Sequence, residues 1–584
     1  MYDLTDTPAF SVVNFFPERC TAFNDQKTLK IVFDGYLLNK RVLAAELADR
    51  GDSCGTKSDA VLMLNLYEKY GKECLQKAKG MFVFAVYDLI EGSVFLARDR
   101  AGGKKLYYSR TNSSFVFGPD LKGMLRENVV VRAINKTALA QYLMLSYIPA
   151  PLSIIDNVYK LPAAHYMTVS ADGHISIEEY WDVVYDDSQA ITDYGECQTL
   201  LRDKLFQSVE ECMYAEPSVG LLLSGGIDSN IIAGIMSRIS DKPIETFSIG
   251  YKGVKDYDES DRALLSAKFH GSNHHMFFIE YQNIIDNLEK IIENIDEPYA
   301  DSSYIPTYTI SRIAGETVNT VLTGDAGDEL FAGYNKYLIG YYSDLYNKVP
   351  AVVRNRLVQP IVGMLPSKRS IVRKITKVIN NNRADAFVQR RNMMCLGIGL
   401  DTINQLLVYD GSKALDFIED VYHKYESKTC EVHRTLYTDF KIVLDGDMLT
   451  KAERTSTLAG ITSKAPLLHP DVVALAAKIP AEFKIKGKNR KLILKDTFSD
   501  CIPPQIAAAK KKGFAVPVSY WLQNEIKQDL LDTMERSFLE KQGLLNPDYV
   551  ELLIEEHMSG KKNNAGILWA LYIFEKWYRR YFEA

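Results

Sequence analysis

Short apolar runs separated by turn residues dominate the first third of the chain. They are rich in Val, Ile, Phe and Tyr, and Gly, Asn and Asp stand between them, which is typical of strands joined by tight turns. The predicted strands include 30–33, 81–87, 93–97 and 114–117. Two stretches with a helical pattern, 39–48 and 59–70, interrupt them. The pattern predicts an α+β domain of stacked sheet and helix layers.

Apolar strands alternate with helical stretches from about residue 194 onward. The predicted strands are 220–223, 244–249 and 317–322, and the predicted helices between them include 230–239 and 260–270. Strands that alternate with helices predict a doubly wound parallel sheet, which is an α/β fold. From about residue 375 the pattern is mostly helical, and 566–582 reads as an aromatic-rich core helix. We therefore predict two domains, 1–185 and 190–584.

Composition and charge narrow the class of protein. The chain has 584 residues, of which 47% are apolar and 25% charged, as in ordinary globular proteins. No apolar run approaches 18 residues and the first residues do not resemble a signal peptide, so we expect a cytoplasmic protein without a membrane span. The net charge of -6 counts against a nucleic-acid partner. Eight scattered cysteines without a CxxC pair fit the thiols of a cytoplasmic protein.

The strongest chemical signal is Ser224-Gly-Gly-Ile-Asp-Ser229, placed where a strand meets a helix. Two glycines let the backbone approach an anion closely, and the first turn of the helix offers N–H groups to it. The hydroxyls of Ser224 and Ser229 can add hydrogen bonds, and the carboxylate of Asp228 can hold Mg²⁺ against a phosphate. The string is not a Walker P-loop, because GxxxxGK[ST] is missing.

The string resembles the pyrophosphate loop of the ATP-pyrophosphatases, and other motifs narrow the resemblance to the asparagine synthetase family of the glutamine-hydrolysing type. The resemblance covers nearly the whole chain from about residue 30. In the second half it rests on 246–250, 296–303, 323–334, 447–454 and 511–514. In the first half it rests on 96–100, 105–108, 161–162 and 180–181.

The resemblance implies a fold and a reaction. The fold is an N-terminal Ntn-hydrolase-like αββα layered domain followed by an ATP-pyrophosphatase domain, which has a doubly wound parallel sheet and a helical extension. In the reaction a substrate carboxylate attacks the α-phosphate of ATP and forms an acyl-adenylate and pyrophosphate. Ammonia or an amine then displaces AMP and forms an amide. ATP and Mg²⁺ are the implied cofactors.

The resemblance also implies roles for individual residues. Asp228 and Asp328 match metal-binding acids, Lys511 matches a catalytic lysine, and Asp325 matches an acid that deprotonates the attacking nitrogen. Glu453 is a second catalytic acid expected nearby. The residues implied to contact ATP or its pyrophosphate are Leu223, Ser224, Gly225, Gly226, Asp228, Ser229, Ile249, Thr323 and Gly324.

The first domain departs from the family where glutamine would react. Active members carry a cysteine at the position of Tyr2, and their Asn-Gly-Glu motif reads Asp34-Gly35-Tyr36 here. A tyrosine at the nucleophile position cannot form a thioester, and an anionic Asp34 would repel the developing oxyanion. Asp59 is retained but cannot restore the reaction alone. The domain is therefore expected to be a degenerate glutaminase that does not hydrolyse glutamine.

A second departure lies at 461–469, where family members often carry a Glu/Arg pair. This chain has Thr462 and Lys464 at those positions, and a lysine lacks the bidentate fork of arginine. The change puts the identity of the carboxylate substrate in doubt, so aspartate is not assumed.

These observations predict an amide-forming synthetase in a specialised pathway, as in the related β-lactam and carbapenam synthetases and lasso-peptide cyclases. The β-lactam type has a tyrosine at the position of Asp325, which favours an intermolecular or ammonia-type reaction here. The carboxylate is a small molecule or a peptide. Two alternatives stay open: an ammonia-dependent asparagine synthetase and an inactive scaffold of the same fold. The aromatic-rich chain leaves room for a homodimer interface.

Overall fold

The computed structural model of the chain describes residues 11–17, 20–48, 58–111, 114–126, 129–251, 259–279, 281–354, 400–509 and 516–583. Two sheets form the first part of the chain and a third, parallel sheet forms the second. None of the helices in these ranges combines the length and the apolar character that a bilayer crossing requires.

Two stacked sheets form the centre of the first part. The larger is antiparallel, with six strands in the order β10-β9-β5-β4-β3-β2, and the smaller has four in the order β1-β7-β6-β8. The strands are β1 Ser11–Asn14, β2 Thr21–Phe23, β3 Leu29–Leu37, β4 Gly80–Asp88, β5 Ser93–Arg98, β6 Tyr107–Arg110, β7 Ser114–Gly118, β8 Val158–Lys160, β9 His165–Val169 and β10 Ile175–Glu179.

Side chains that alternate along β3 show how the layers pack. Val32 packs between the two sheets with Val83 and Phe117. Its neighbours Ile31 and Phe33 face the opposite way, onto a helical layer. That layer comprises helices Lys40–Ala48, Asp59–Tyr70 and Cys74–Lys77, and helices Leu121–Arg126 and Lys136–Leu145 cover the outer face of the smaller sheet. The predicted αββα layering is confirmed.

The second part is built on a parallel sheet whose strand order predicts where a ligand binds. Its five strands run in the order β13-β12-β11-β14-β15, and all four pairings are parallel. They are β11 Val219–Leu222, β12 Glu245–Tyr251, β13 Asn273–Ile279, β14 Thr320–Leu322 and β15 Thr462–Lys464. The order reverses between β11 and β14, so a crevice opens at their carboxyl ends, where open α/β sheets bind ligands.

Helices cover both faces of this sheet, which confirms the predicted doubly wound fold. Leu221 and Leu322 pack with Ile231 on one face, whereas Phe247 and Val321 pack with Ile305 on the other. The surrounding helices are Tyr194–Met213, Ile227–Ile239, Ser260–His270, Tyr281–Asn294, Tyr304–Ala314, Gly327–Phe331, Asn335–Asn347 and Ala351–Val353.

The helical extension predicted for the end of the chain is present over the described residues after 399. Its helices are Leu400–Leu406, Phe417–His423, Glu431–Thr438, Thr450–Leu458, Pro470–Lys478, Ala481–Lys484, Leu492–Thr497, Pro504–Ala507, Val518–Gln523, Lys527–Thr533, Arg536–Gln542, Pro547–Met558 and Ala565–Tyr578, with a hairpin of β16 Ile485–Lys486 and β17 Asn489–Arg490. The last helix packs on the first part, where the Tyr142 hydroxyl donates to the carbonyl of Ala570 at 2.7 Å.

A buried charge cluster joins the two parts of the chain. Arg98, at the end of β5, has a side chain with no exposed surface and donates to Asp445 at 2.6 Å. Its other donors reach the backbone carbonyls of Lys104, Gly102 and Leu161. Lys105 contacts the same carboxylate. Burial would raise the pKa of Asp445, yet Arg98 and Lys105 hold it at about 2.

Replacement of Asp445 by asparagine should weaken the junction between the two parts. Arg98 and Lys105 would then be buried without their carboxylate, and breaking a buried pair in this way costs about 3–5 kcal/mol. Urea unfolding should show this loss at neutral pH. Because the folded pKa of Asp445 is depressed, its stabilisation in the wild type should fade as pH falls below about 4 toward 2.

Asp548→Asn is the matched control, since Asp548 is mostly exposed and its pair with Arg536 lies at the surface. The control should unfold like the wild type. An Asp445→Asn protein with an unchanged unfolding midpoint would contradict the importance of the cluster.

Candidate active site

The loop after β11 has the geometry of an anion-binding turn. Gly225 has φ +68°, and a Cβ there would come within 2.8–2.9 Å of Arg262 and the backbone of Ala263. A side chain is therefore excluded by both conformation and space. Gly226 is the N-cap of helix Ile227–Ile239, so the N–H groups of the first helical turn point into the crevice.

The crevice contains a cavity of about 750 Å³ that brings most of the predicted site together. It is lined by Leu223, Ser224, Gly225, Gly226, Asp228, Ser229, Ile249, Thr323, Gly324, Asp325 and Asp328. These residues come from the ends of β11, β12 and β14 and from the loops that follow them. The volume suits a nucleotide-sized ligand.

A lysine that the sequence analysis did not single out stands between the two predicted metal ligands. The Nζ of Lys491 contacts the carboxylates of both Asp228 and Asp328, the latter at 2.7 Å. Its side chain is 5% exposed. Burial alone would lower the pKa of Lys491, but the two carboxylates outweigh burial and raise the pKa above its ordinary value. The lysine is therefore a fixed positive charge in the cavity.

The donor set at this point fits Mg²⁺ bound together with a nucleotide. Asp228 and Asp328 offer carboxylate oxygens from the first turns of helices Ile227–Ile239 and Gly327–Phe331, which follow β11 and β14. The two turns approach closely, because a Cβ on Gly327 would meet the Asp228 carboxylate at 2.4 Å. Mg²⁺ in proteins is commonly held by one or two carboxylates and substrate phosphates. The residues present match that requirement.

Asp325 lies in the same loop with an environment suited to a base. Its Oδ2 accepts a hydrogen bond from the Thr323 hydroxyl at 2.7 Å. Burial raises the pKa of Asp325 and outweighs the hydrogen bond from Thr323 and the charge of Lys451, which lower it, and the carboxylates of Asp228 and Asp328 raise the pKa further. A raised pKa makes a carboxylate a better proton acceptor.

A second buried lysine, Lys451, also lines the cavity, and the sequence motifs did not assign it a role. Its Nζ contacts Asp301 Oδ2 and donates to Ser303 Oγ, both at 2.8 Å. Lys451 belongs to the 447–454 motif and Asp301 to the 296–303 motif. The charged residues of these two motifs are therefore the sequence signal that could have predicted the pair. Lys491 carries no such signal, because it ends a basic run that reads as exposed surface.

Other predicted residues lie elsewhere. Lys511 and Tyr2 fall outside the described residues, so their roles stay predictions. Glu453 does not line the cavity at the ends of β11 and β14. Its Oε1 pairs with Lys104 at 3.0 Å in a second cavity between the two parts of the chain. Asp59 pairs with Lys40 at 3.0 Å.

The two positions that depart from the motif expected at 34–36 both have side-chain partners. Asp34 forms an ion pair with Lys104 at 3.2 Å. The Tyr36 hydroxyl donates to the carbonyl of Ser463 at 3.3 Å, and the Nζ of Lys464 lies 5.0 Å from the centre of the Tyr36 ring. Tyr36 therefore packs against the second part of the chain, whereas Asp34 is paired within the first part.

Lys464, the other departure, has a structural partner. Its Nζ pairs with Glu216 at 2.7 Å and donates to the carbonyl of Cys212 at 3.0 Å. The lining of the nucleotide cavity includes Ser463 but not Lys464. The lysine thus fixes β15 to the end of helix Tyr194–Met213 without facing the cavity.

Comparison with known proteins agrees with this geometry. The family model for asparagine synthase matches residues 200–579, and the model for the glutamine amidotransferase domain matches residues 21–181. The chain belongs to the asparagine synthase family.

Its relatives match along most of their length. The asparagine synthetase (glutamine-hydrolysing) 1 of Bacillus subtilis is 28% identical over 560 residues, which cover 95% of this chain and 86% of the relative. The asparagine synthetase (glutamine-hydrolysing) 3 of the same organism is 25% identical over 520 residues, covering 85% and 77%. The solved glutamine phosphoribosylpyrophosphate amidotransferase of B. subtilis aligns with a TM-score of 0.21 at 12% identity over 52% of this chain and 63% of its own, which is too little to support an argument.

Replacement of Lys491 by methionine should strengthen divalent metal binding in the absence of nucleotide. The variant removes the cation that occupies the space between Asp228 and Asp328. At the several kcal/mol that a charge pair at this separation carries, affinity for Mn²⁺, used in place of Mg²⁺, should rise at least about tenfold. Electron paramagnetic resonance titration measures free Mn²⁺ directly.

Lys486→Met removes the same charge from an exposed residue of the same basic run that does not line the cavity, and it serves as the control. An equal rise in both variants would show a general charge effect, and no rise in Lys491→Met would contradict the assigned balance between the lysine and the two acids.

Proposed function

We propose that the protein is an ATP- and Mg²⁺-dependent amide synthetase that adenylates a carboxylate and transfers the acyl group to an amine or ammonia, without using glutamine. The observation that carries the proposal is the group Asp228, Lys491 and Asp328 in the crevice at the ends of β11 and β14. Two carboxylates and a lysine beside an anion-binding loop suit a magnesium nucleotide.

The proposed first step takes place at the α-phosphate of ATP. A carboxylate oxygen of the substrate forms a bond to the α-phosphorus while the bond to the bridging oxygen breaks, and pyrophosphate leaves with the electron pair. The loop 224–229 would hold the pyrophosphate through backbone N–H groups and the hydroxyls of Ser224 and Ser229. Lys491 would neutralise developing phosphate charge, and bound Mg²⁺ would supply further charge stabilisation. Lys511 stays a proposed catalytic lysine.

In the proposed second step the nitrogen attacks the acyl carbon of the adenylate. A C–N bond forms, the bond between carbon and the AMP oxygen breaks, and AMP leaves. Asp325 would accept a proton from the nitrogen, which its raised pKa supports. Leu223, Ile249, Thr323 and Gly324 would contact the nucleotide, since all four line the cavity.

Contacts in the first part support the absence of glutaminase chemistry. Asp34 and Tyr36, which replace an amide and a carboxylate of the family motif, are engaged with Lys104 and with Ser463. Neither presents the group that the glutaminase reaction needs at its position. The segments matched by the two family models support the proposed division into domains 1–185 and 190–584. A specialised pathway and a cytoplasmic location belong to the same proposal.

Membership in the asparagine synthase family favours one second candidate, ammonia-dependent asparagine synthesis. It differs from the leading proposal only in the substrates. An inactive scaffold is disfavoured, because the acids Asp228, Asp325 and Asp328 and the lysines Lys451 and Lys491 are brought together around one cavity.

The nucleotide products of the purified protein test the proposal. With ATP, Mg²⁺ and a panel of carboxylates that includes aspartate, mass spectrometry should detect AMP and pyrophosphate when ammonium or an amine is present. Glutamine as the sole nitrogen source should give neither amide nor glutamate. Asp228→Ala and Asp328→Ala should abolish turnover.

Asparagine formed from aspartate and ammonium would select the second candidate. Turnover with glutamine alone would overturn the assignment of Asp34 and Tyr36. ATP binding without AMP from any carboxylate in a broad panel would favour the scaffold.

The pH dependence of amide formation tests Asp325. Because the base acts in its ionised form, the rate should fall as pH drops through a pKa above that of an ordinary aspartate. Asp325→Asn should lower the rate about 10²–10⁴-fold and remove this acid limb. Thr323→Val deletes a hydrogen bond to the ionised form, so the limb should move to higher pH. If the fall in rate at low pH occurred at the same pH in both variants as in the wild type, the proton transfer would belong to another group.

A further inference from the structure

A second cavity, of about 450 Å³, lies between the two parts of the chain. On one side it is lined by Cys20, Asp34, Tyr36 and Lys104, and on the other by residues 449–465 in several short segments. Asp325, Ala452 and Ser463 line both this cavity and the nucleotide cavity. The two cavities therefore share a wall, and the proposed base stands in it.

The size of this cavity exceeds what ammonia requires. Ammonia is about as large as water, whose share of liquid volume is about 30 Å³. Sites for small organic ligands usually measure about 300–1,000 Å³. A cavity of about 450 Å³ lies within that range.

Charges in the cavity favour a cationic occupant. The Nζ of Lys104 lies between Asp34 Oδ2 at 3.2 Å and Glu453 Oε1 at 3.0 Å. Asp120 adds another acid to the lining. Two further cations line the cavity: Arg454, which is shared between Glu453 and Asp296, and Lys105, which shares Asp445 with Arg98. With Asp325, the lining has four acids against three cations. A third of the Asp34 side chain is exposed, so solvent reaches this end.

We propose that this cavity binds the nitrogen substrate, a primary alkylamine larger than ammonia, and delivers its nitrogen past Asp325 to the acyl-adenylate. The inference rests on the proposed function and names its nucleophile. The amine enters as an ammonium ion attracted by Asp34, Asp120 and Glu453. It gives one proton to Asp325, and its lone pair then attacks the acyl carbon. AMP leaves with the electrons of the broken C–O bond, and the second proton passes to solvent.

Cys20 gives a direct probe of the cavity because it lines the wall and is partly exposed. Its alkylation by N-ethylmaleimide can be followed by peptide mass spectrometry with n-butylammonium, ammonium or neutral n-butanol at constant ionic strength. We expect n-butylammonium to slow the modification of Cys20 at least about fivefold and saturably, and the other two to leave it unchanged. Cys430, partly exposed and outside the cavity, is the internal control.

Unchanged alkylation of Cys20, or equal slowing at Cys430, would overturn the binding site. This measurement needs neither ATP nor a known carboxylate, so its result is independent of the proposed reaction.

A second experiment separates this inference from the proposed function. Carboxylate-dependent exchange of labelled pyrophosphate into ATP reports the first step alone, and amide formation reports both steps. Protein alkylated at Cys20, in a Cys54→Ser, Cys395→Ser, Cys430→Ser background, should retain the exchange and lose at least about 90% of amide formation from n-butylammonium. Cys20→Ser treated with the same reagent should keep both activities.

Retained amide formation after alkylation would overturn the cavity as the amine site while the exchange upholds the proposed function. Loss of the pyrophosphate exchange in the alkylated protein would also overturn the cavity as the amine site, because the alkyl group on Cys20 would then be acting on the nucleotide cavity. Absence of exchange in the untreated protein with every carboxylate would instead defeat the proposed function. Asp34→Asn should raise the KM for n-butylammonium about tenfold with little change in kcat, and Asp34→Glu should restore it.

Discussion

Repulsion between carboxylates at the carboxyl ends of β11 and β14 is the constraint around which the second part is organised. Asp228, Asp325 and Asp328 converge there, and Asp301 stands at the edge of the same cavity. Buried carboxylates are costly without a counter-charge. Lys491 and Lys451 provide that charge from segments far along the chain. The helical extension is therefore part of the active site, since without it the acids would face each other unbalanced.

The same arrangement explains how a nucleotide and its metal could enter without leaving charges uncompensated. Lys491 contacts two acids that both have the chemistry of magnesium ligands. If Asp228 and Asp328 held the metal, the phosphate oxygens of the nucleotide would offer Lys491 new anionic partners in the same cavity.

The local sequence pattern predicted the helices and strands well, and the motifs predicted the side of the site that is formed by the ends of β11 and β14. The short apolar runs 30–33 and 81–87 identified β3 and β4, and the string 224–229 identified the anion-binding turn at the end of β11. Lys491 could not be predicted, because a lysine at the end of a basic run has the same local pattern whether it is exposed or buried. The positions of Glu453 and Lys464 likewise depend on contacts with Lys104 and Glu216, which are distant in sequence.

The buried pairing of Arg98 with Asp445 has a consequence for how the chain folds as it is synthesised. The partners are 347 residues apart, so the first part leaves the ribosome long before its buried arginine can meet a counter-charge. At about 5–20 residues per second, that interval lasts roughly 17–70 s. During it the guanidinium of Arg98, at the end of β5, lacks the carboxylate that it pairs with in the folded chain. The first part is thus made early, but this buried pair can form only once the second part has been made.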